Sequence, residues 1–402
     1  MEAEALNHIK YGVPFYGIGW VPDGIPLTSS EQPEQENNDQ KTETRTESTQ
    51  SVPDSNHIVL AGGGGEGNSG VKNAVVLIQF DPASTSISHE PVAKLGLGSD
   101  LPYRMAVHPG ADGLICSFPE SCSWFEWEKE LREGAHKLSV KQSDRVLKQL
   151  QDVGQQLALA FNKEGSVLAT GGEDGNLRVF KWPSMEIMFT EAQAHRTVKQ
   201  LDFSHDGKFL VSLGQSGPGR VWDVTSAAVV ATLPTEKDEV FCACKFSLVN
   251  NGIEVLHLAD KDGIIVTWNT TTWRRVRSKR ITRDGITAFD VSADGKLLAC
   301  GTTAGDLLIL KSAGLRVQKV IPKAHSGFVT ALSFSHDSRV LASTSMDSSA
   351  RVSTLEEVKK SGVSLWVVIL IILVSILAYF LNDPESWTML KSELEKVYSL
   401  WR

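Results

Sequence analysis

From residue 57 to about 358, apolar positions alternate with polar ones in short runs, and the runs are broken by Gly, Asp and Ser. Alternation of period two is the pattern of half-buried β-strands, so this whole stretch predicts strands and tight turns with no long helix. The stretches "LALAFNKEGSVLATGGEDGNLRVFKW", "VKQLDFSHDGKFLVSLGQSGPGRVWDV", "ITAFDVSADGKLLACGTTAGDLLILK" and "VTALSFSHDSRVLASTSMDSSARVST" repeat one plan of strand, turn, strand, turn, strand. Their equivalent positions Phe161, Phe203, Phe246, Val291 and Phe334 lie 42, 43, 45 and 43 residues apart. A period of ~40–45 residues with four short strands per unit is that of a WD-repeat β-propeller, whose small sheets bury both faces only by stacking in a ring. "PYRMAVHPGADGLICSFPESCSWFEWE" supplies a sixth unit and the glycine-rich segment from His57 a seventh, so the predicted fold is an all-β, seven-bladed propeller over residues 1–358.

Two segments break the pattern. Residues 28–56 carry seven acidic and two basic residues and no aromatic, so they are expected to be a disordered acidic insertion between "FYGIGWV" and "HIVLA". Residues 363–381, "VSLWVVILIILVSILAYFL", run for 19 positions without a charge, long enough to cross a bilayer as one helix. Lys359 and Lys360 precede this span, and Asp383 and Glu385 follow it. That asymmetry places the large N-terminal part in the cytosol, joined by a link at 359–362, and residues 382–402 on the other side. Within that tail, "SWTMLKSELEKVYSLW" has the pattern of a short amphipathic helix suited to a membrane interface. The start of the chain has no apolar signal-peptide core.

The 402 residues carry a net charge of −8, which gives no reason to expect nucleic acid as a partner. Five cysteines without CxxC spacing argue against a disulfide framework or a zinc site, and Cys242 and Cys244 in "FCACKF" are expected on one face of a buried strand. His195 and His325 precede repeats and are expected to make structural hydrogen bonds within their blades. Only Trp222-Asp223 keeps the Trp-Asp pair; its position is Phe180, Trp268, Leu310 or Val352 elsewhere. The basic run Trp273 to Arg280, "WRRVRSKR", is expected on a solvated blade edge. No Ser-His-Asp, HExxH or paired-carboxylate spacing is present, and neither covalent chemistry nor a small-molecule substrate is expected.

One chemical feature stands apart. Six glycines fall within Gly62 to Gly70, in "AGGGGEGNSGVKN". Gly65 to Gly70 formally match GxGxxG, but that fingerprint requires a following helix, and "AVVLIQF" is a strand sequence. A phosphate-binding P-loop is excluded too, because no Gly-Lys-Ser/Thr follows. Consecutive glycines are useful where carbonyls must turn toward one point or a partner's backbone must approach closely. Such carbonyls, with the amide of Asn68 or Asn73, are hard-oxygen ligands suited to a cation.

The loop resembles the GGGG-x4-G-x-x-N loop of the Sec-twelve-type exchange factors of the endoplasmic reticulum, through Gly62–Gly65, Gly70, Val71 and Asn73. The strand "YGVPFYGIGWVPDG" and the propeller-plus-span layout are similar as well. The acidic insertion departs from the family pattern. Resemblance to this family implies a non-enzymatic guanine nucleotide exchange factor, anchored in the endoplasmic-reticulum membrane with a cytosolic propeller. Its partner would be a Sar-type small GTPase, loaded with GTP to start coat protein complex II budding. The implied contact is the loop Gly62, Gly63, Gly64, Gly65, Glu66, Gly67, Asn68, Ser69, Gly70, Val71 and Asn73. A potassium ion would be held by Asn68, Asn73 and loop carbonyls. The alternative is a non-catalytic escort or scaffold for export of membrane cargo such as phosphate transporters, since most propellers are platforms.

Overall fold

A computed structural model of the chain describes residues 6–25, 56–66, 70–132, 135–236, 239–249, 252–355, 369–375, 388, 391–393, 395–397 and 399. Met1–Leu355 forms one compact unit and Glu356–Arg402 a second. The first unit is a seven-bladed β-propeller, each blade an antiparallel sheet. Strand β1 is His8–Lys10, and β2 (Phe15–Trp20), β3 (His57–Gly62), β4 (Ala74–Asp81), β5 (Ser86–Ile87) and β6 (Ala93–Gly96) build blade 1. Blade 2 runs from β7 (Arg104–Val107) to Ala135–Gln142. Blades 3 to 6 begin at Gln156, Val198, Phe241 and Ile286, in the order the repeat spacing predicts.

Blade 4 shows how sequence becomes structure. Its second strand, Phe209–Gly214, is buried almost throughout because neighbouring blades cover both its faces, whereas its fourth, Ala228–Leu233, is the exposed outer edge. The predicted turn closes through Ser204, whose Oγ donates to Asp206 at 2.6 Å and accepts the Phe209 N–H at 2.8 Å. The same pair recurs as Ser292–Asp294 and Ser335–Asp337. Phe180, Trp222, Trp268, Leu310 and Val352 all sit buried on third strands, packed between blades. Burying each such side chain contributes roughly 2–3 kcal/mol.

The ring closes through the N-terminus. Blade 7 takes three strands from the end of the propeller, and β1 adds the fourth, with His8 opposite Arg351 and Lys10 opposite Ser349. The basic run lies where expected, on the exposed outer strand Arg274–Arg280 of blade 5. All five cysteines are free. Cys242 and Cys244 do not share a face: a β-bulge between Phe241 and Ala243 turns Cys242 toward blade 6, while Cys244 packs in the core between blades 4 and 5.

Residues 28–55 of the acidic insertion lie outside the described residues. So do 363–368 and 376–381 of the apolar span; its described part, 369–375, is helical. No helix among the described residues is long and apolar enough to cross a membrane.

Candidate functional site

The glycine segment is the turn between β3 and β4, the second and third strands of blade 1. Antiparallel order puts it on the same face as the β6–β7 connection. The connection from β2 to β3 and the end of the propeller at Leu355 fall on the opposite face. The loop thus stands on the face away from the point where the chain leaves the propeller.

Gly62, Gly63, Gly65 and Gly70 each have their own reason. Gly62 and Gly63 are buried at the end of β3, and the Gly63 N–H donates to the Pro14 carbonyl at 3.0 Å. A Cβ on Gly62 would overlap the Pro14 carbonyl oxygen, and one on Gly63 would overlap the Asn73 side chain and lie 2.6 Å from its Cα. Gly65 and Gly70 take φ of +79° and +73°, the left-handed region that side chains disfavour. Gly64, Gly65 and Val71 are half-buried, and Glu66, Gly70 and Lys72 are exposed. Gly67, Asn68 and Ser69 lie outside the described residues, so nothing here places Asn68 as a ligand.

Asn73 pins the base of the loop. It is 1% exposed, and its Oδ1 accepts the Gly65 N–H at 3.0 Å. Its Nδ2 donates to the carbonyls of Gly98 at 3.1 Å and Ser99 at 2.9 Å, with the Gly65 carbonyl at 3.5 Å. Asn73 therefore ties the loop to the β6–β7 connection, whose Leu97 N–H in turn donates to the Asn73 carbonyl at 2.9 Å. Three backbone carbonyls and one amide oxygen are gathered here, with the Asp100 carboxylate 3.5 Å from the Ser99 hydroxyl. The carbonyl and amide oxygens are neutral, hard donors of the kind that suit a large monovalent cation better than zinc. In the present arrangement the Asn73 amide occupies those carbonyls with its own donors.

Leu101 lies near Gly65, and the chain runs on from it through Tyr103 and Arg104. Tyr103 stacks on Tyr16 with centroids 6.4 Å apart, and the Arg104 guanidinium sits 5.1 Å from the Tyr103 ring centre. Burial, with Tyr103 nearby, holds the Tyr16 hydroxyl above its usual range, and burial lowers Arg104.

Other polar clusters are internal networks. His195 Nε2 meets Ser212 Oγ at 2.8 Å, and Trp222 Nε1 donates to the same oxygen at 2.8 Å. His8, His325 and Asp347 approach one another, but both His325 nitrogens already meet the hydroxyls of Ser349 and Ser343, at 2.7 and 2.8 Å. On the opposite face a cavity of about 320 Å³ reaches Lys245, which lies 3.7 Å from Asp202 and 3.4 Å from Asp290. Those charges answer one another.

Comparison with known proteins bears on what this loop belongs to. Residues 160–256 match the family described as anaphase-promoting complex subunit 4 WD40 domain, and residues 316–352 match WD domain, G-beta repeat. SEC12-like protein 2 of Arabidopsis thaliana is 53% identical over 306 residues, which cover 75% of this chain and 77% of that protein. The chain belongs to the SEC12-like family. SEC12-like protein 1 of the same plant is 30% identical over 302 residues, 73% of this chain and 74% of that one. The guanine nucleotide-exchange factor SEC12 of Mus musculus is 25% identical over 334 residues, covering 70% and 79%. For this SEC12-like chain, sequence reasoning picked Asn73 and the glycines but missed Gly98 and Ser99. Their part is played by backbone carbonyls, which leave no side-chain signature.

Proposed function

We propose that this chain is a guanine nucleotide exchange factor for a Sar-type small GTPase, promoting GDP release and GTP loading that start coat protein complex II vesicle formation. The observation that carries the reading is a glycine loop fixed at its base by Asn73 on one propeller face of a SEC12-like protein. Relatives named as exchange factors support the activity. Residues 363–381 serve as the anchor in the endoplasmic-reticulum membrane, with the propeller cytosolic, 359–362 as the link and 382–402 luminal.

No bond is made or broken by this chain. An exchange factor speeds GDP release only by binding the nucleotide-free GTPase more tightly than the GDP-bound form. Asn73 and the close packing of Gly62 and Gly63 fix the loop base, so less ordering entropy is lost when the GTPase docks. The loop from Gly62 to Val71, in which Glu66 and Gly70 are exposed and Val71 half-buried, is the segment that reaches the GTPase. A potassium ion held by loop carbonyls with Asn68 and Asn73 would supply a fixed positive charge there, with the Asn73 amide turned from its present bonds to Gly98 and Ser99.

The test is GDP release from a purified Sar-type GTPase, with the full chain in liposomes and buffers of potassium or sodium. Acceleration is expected, larger in potassium, and Asn73→Ala should lower it about tenfold or more, the equivalent of ~1.4 kcal/mol. Unchanged GDP release with folded wild-type protein would sink the exchange reading and favour an escort.

A further inference from the structure

The inner strands of the propeller share one register position, three residues before the point where the repeats align. It is alanine in blades 3, 5, 6 and 7 (Ala158, Ala243, Ala288, Ala331), glycine in blade 1 (Gly17) and glutamine in blade 4 (Gln200). In blade 1 the next inner strand approaches closely: a Cβ on Gly17 would lie 2.9 Å from the Met105 Cβ. In blade 2 the same position, paired with Ser117, is Arg104.

Arg104 uses one side-chain donor internally, Nε to the Leu157 carbonyl at 2.9 Å. Three part-buried cations elsewhere are answered by carboxylates, while half-buried Arg220 and Lys199, like Arg104, have none among the described residues. Arg178 pairs with Asp174, Arg275 with Glu236 at 2.7 Å and Glu239 at 2.6 Å, and Lys245 with Asp202 and Asp290. Among the described residues no carboxylate pairs with Arg104. A half-buried guanidinium with donors to spare, set against two stacked tyrosines, has the make-up of an interface anchor. It begins β7, on the face of the glycine loop. The chain from Gly98 and Ser99, which hold Asn73, leads straight into it.

We propose that Arg104 is the receptor for a carboxylate side chain of the GTPase, a second contact beside the glycine loop. This inference rests on the exchange reading. The planar guanidinium matches a carboxylate in a two-pronged pair. The phosphates of GDP would suit its charge equally, but holding them would oppose the release that exchange requires.

The test uses the full chain in liposomes, with Arg104→Ala, the residue four other blades carry, and Arg104→Lys. Measured are thermal stability, the kcat/KM of exchange on a Sar-type GTPase from low to high salt, and binding of free GDP to the chain. Arg104→Ala is expected to keep the thermal midpoint within a few degrees, to lower kcat/KM at least tenfold and to flatten its salt dependence. Arg104→Lys should recover part of the loss. Wild-type acceleration matched by Arg104→Ala would overturn this assignment and leave the exchange reading standing. An activity loss tracking a large drop in thermal midpoint in both variants would make Arg104 a packing residue, and Arg104-dependent binding of free GDP would replace the carboxylate with phosphate. No acceleration by the wild type would remove both readings together.

Discussion

Asn73 and Gly63 are a matched pair: the amide can close the loop base only because the residue facing it has no side chain. Gly63→Ala would force a methyl group into the space of the Asn73 side chain. It is expected to break the Asn73 bonds to Gly65, Gly98 and Ser99 and to abolish most exchange activity. Gly70→Ala meets nothing within 4 Å, so only its φ of +73° opposes it, at about 1 kcal/mol. GDP-release rates of the two variants side by side check this: Gly63→Ala should lose far more than Gly70→Ala, and equal losses would count against the pinned base. The glycine cluster was plain in the sequence, but the separate tasks of its members were not. A close backbone approach at Gly62 and a turn requirement at Gly65 look identical as letters. Arg104 was invisible for a related reason: it is unusual only against six register positions that the folded sheets align.

Within one blade, stability depends on a few buried hydroxyls. Ser212 in blade 4 serves both His195 and Trp222, and Ser212→Ala would leave two buried ring nitrogens without a partner. The expected cost is about 2–4 kcal/mol, read as a lower urea midpoint at an unchanged slope. A loss under 0.5 kcal/mol would mean that these bonds add little over packing. The repeats made blades 3 to 7 legible, because each carries strand, turn and strand at fixed spacing. Strand β1 was not legible. Its three residues, "HIK", hold no period of their own and are fixed by pairing with Ser349–Arg351 across the ring closure and by Ile9 packing in the core. The Cys242 bulge was likewise hidden, since alternation in the sequence does not reveal where the ladder skips a residue.

Across the whole propeller, neutral buried histidines make the ring sensitive to acid. His257 is fully buried against Thr267 at 3.0 Å and Ser312 at 3.3 Å, and burial pulls its pKa down to about 4. Burial also lowers His195 to about 4, with help from Arg220. A histidine depressed in the folded state contributes its full stability above ~6.5, and that stability is lost as pH falls toward 4, by up to about 3 kcal/mol each. Asp202 acts in the opposite sense. Burial outweighs Lys245 and raises its carboxyl to about 6, so it takes up a proton first in the folded state and adds stability as pH drops from 6 toward the unfolded value. Two depressed histidines outweigh one raised carboxyl, so these groups give a net loss of about 2–3 kcal/mol between pH 7 and pH 5. Urea unfolding at the two pH values, for wild type and His257→Asn, measures it. The variant should be weaker than wild type at pH 7 but lose about 2 kcal/mol less on acidification. An unchanged pH slope in His257→Asn would show that His257 titrates normally and that the acid response arises elsewhere in the ring.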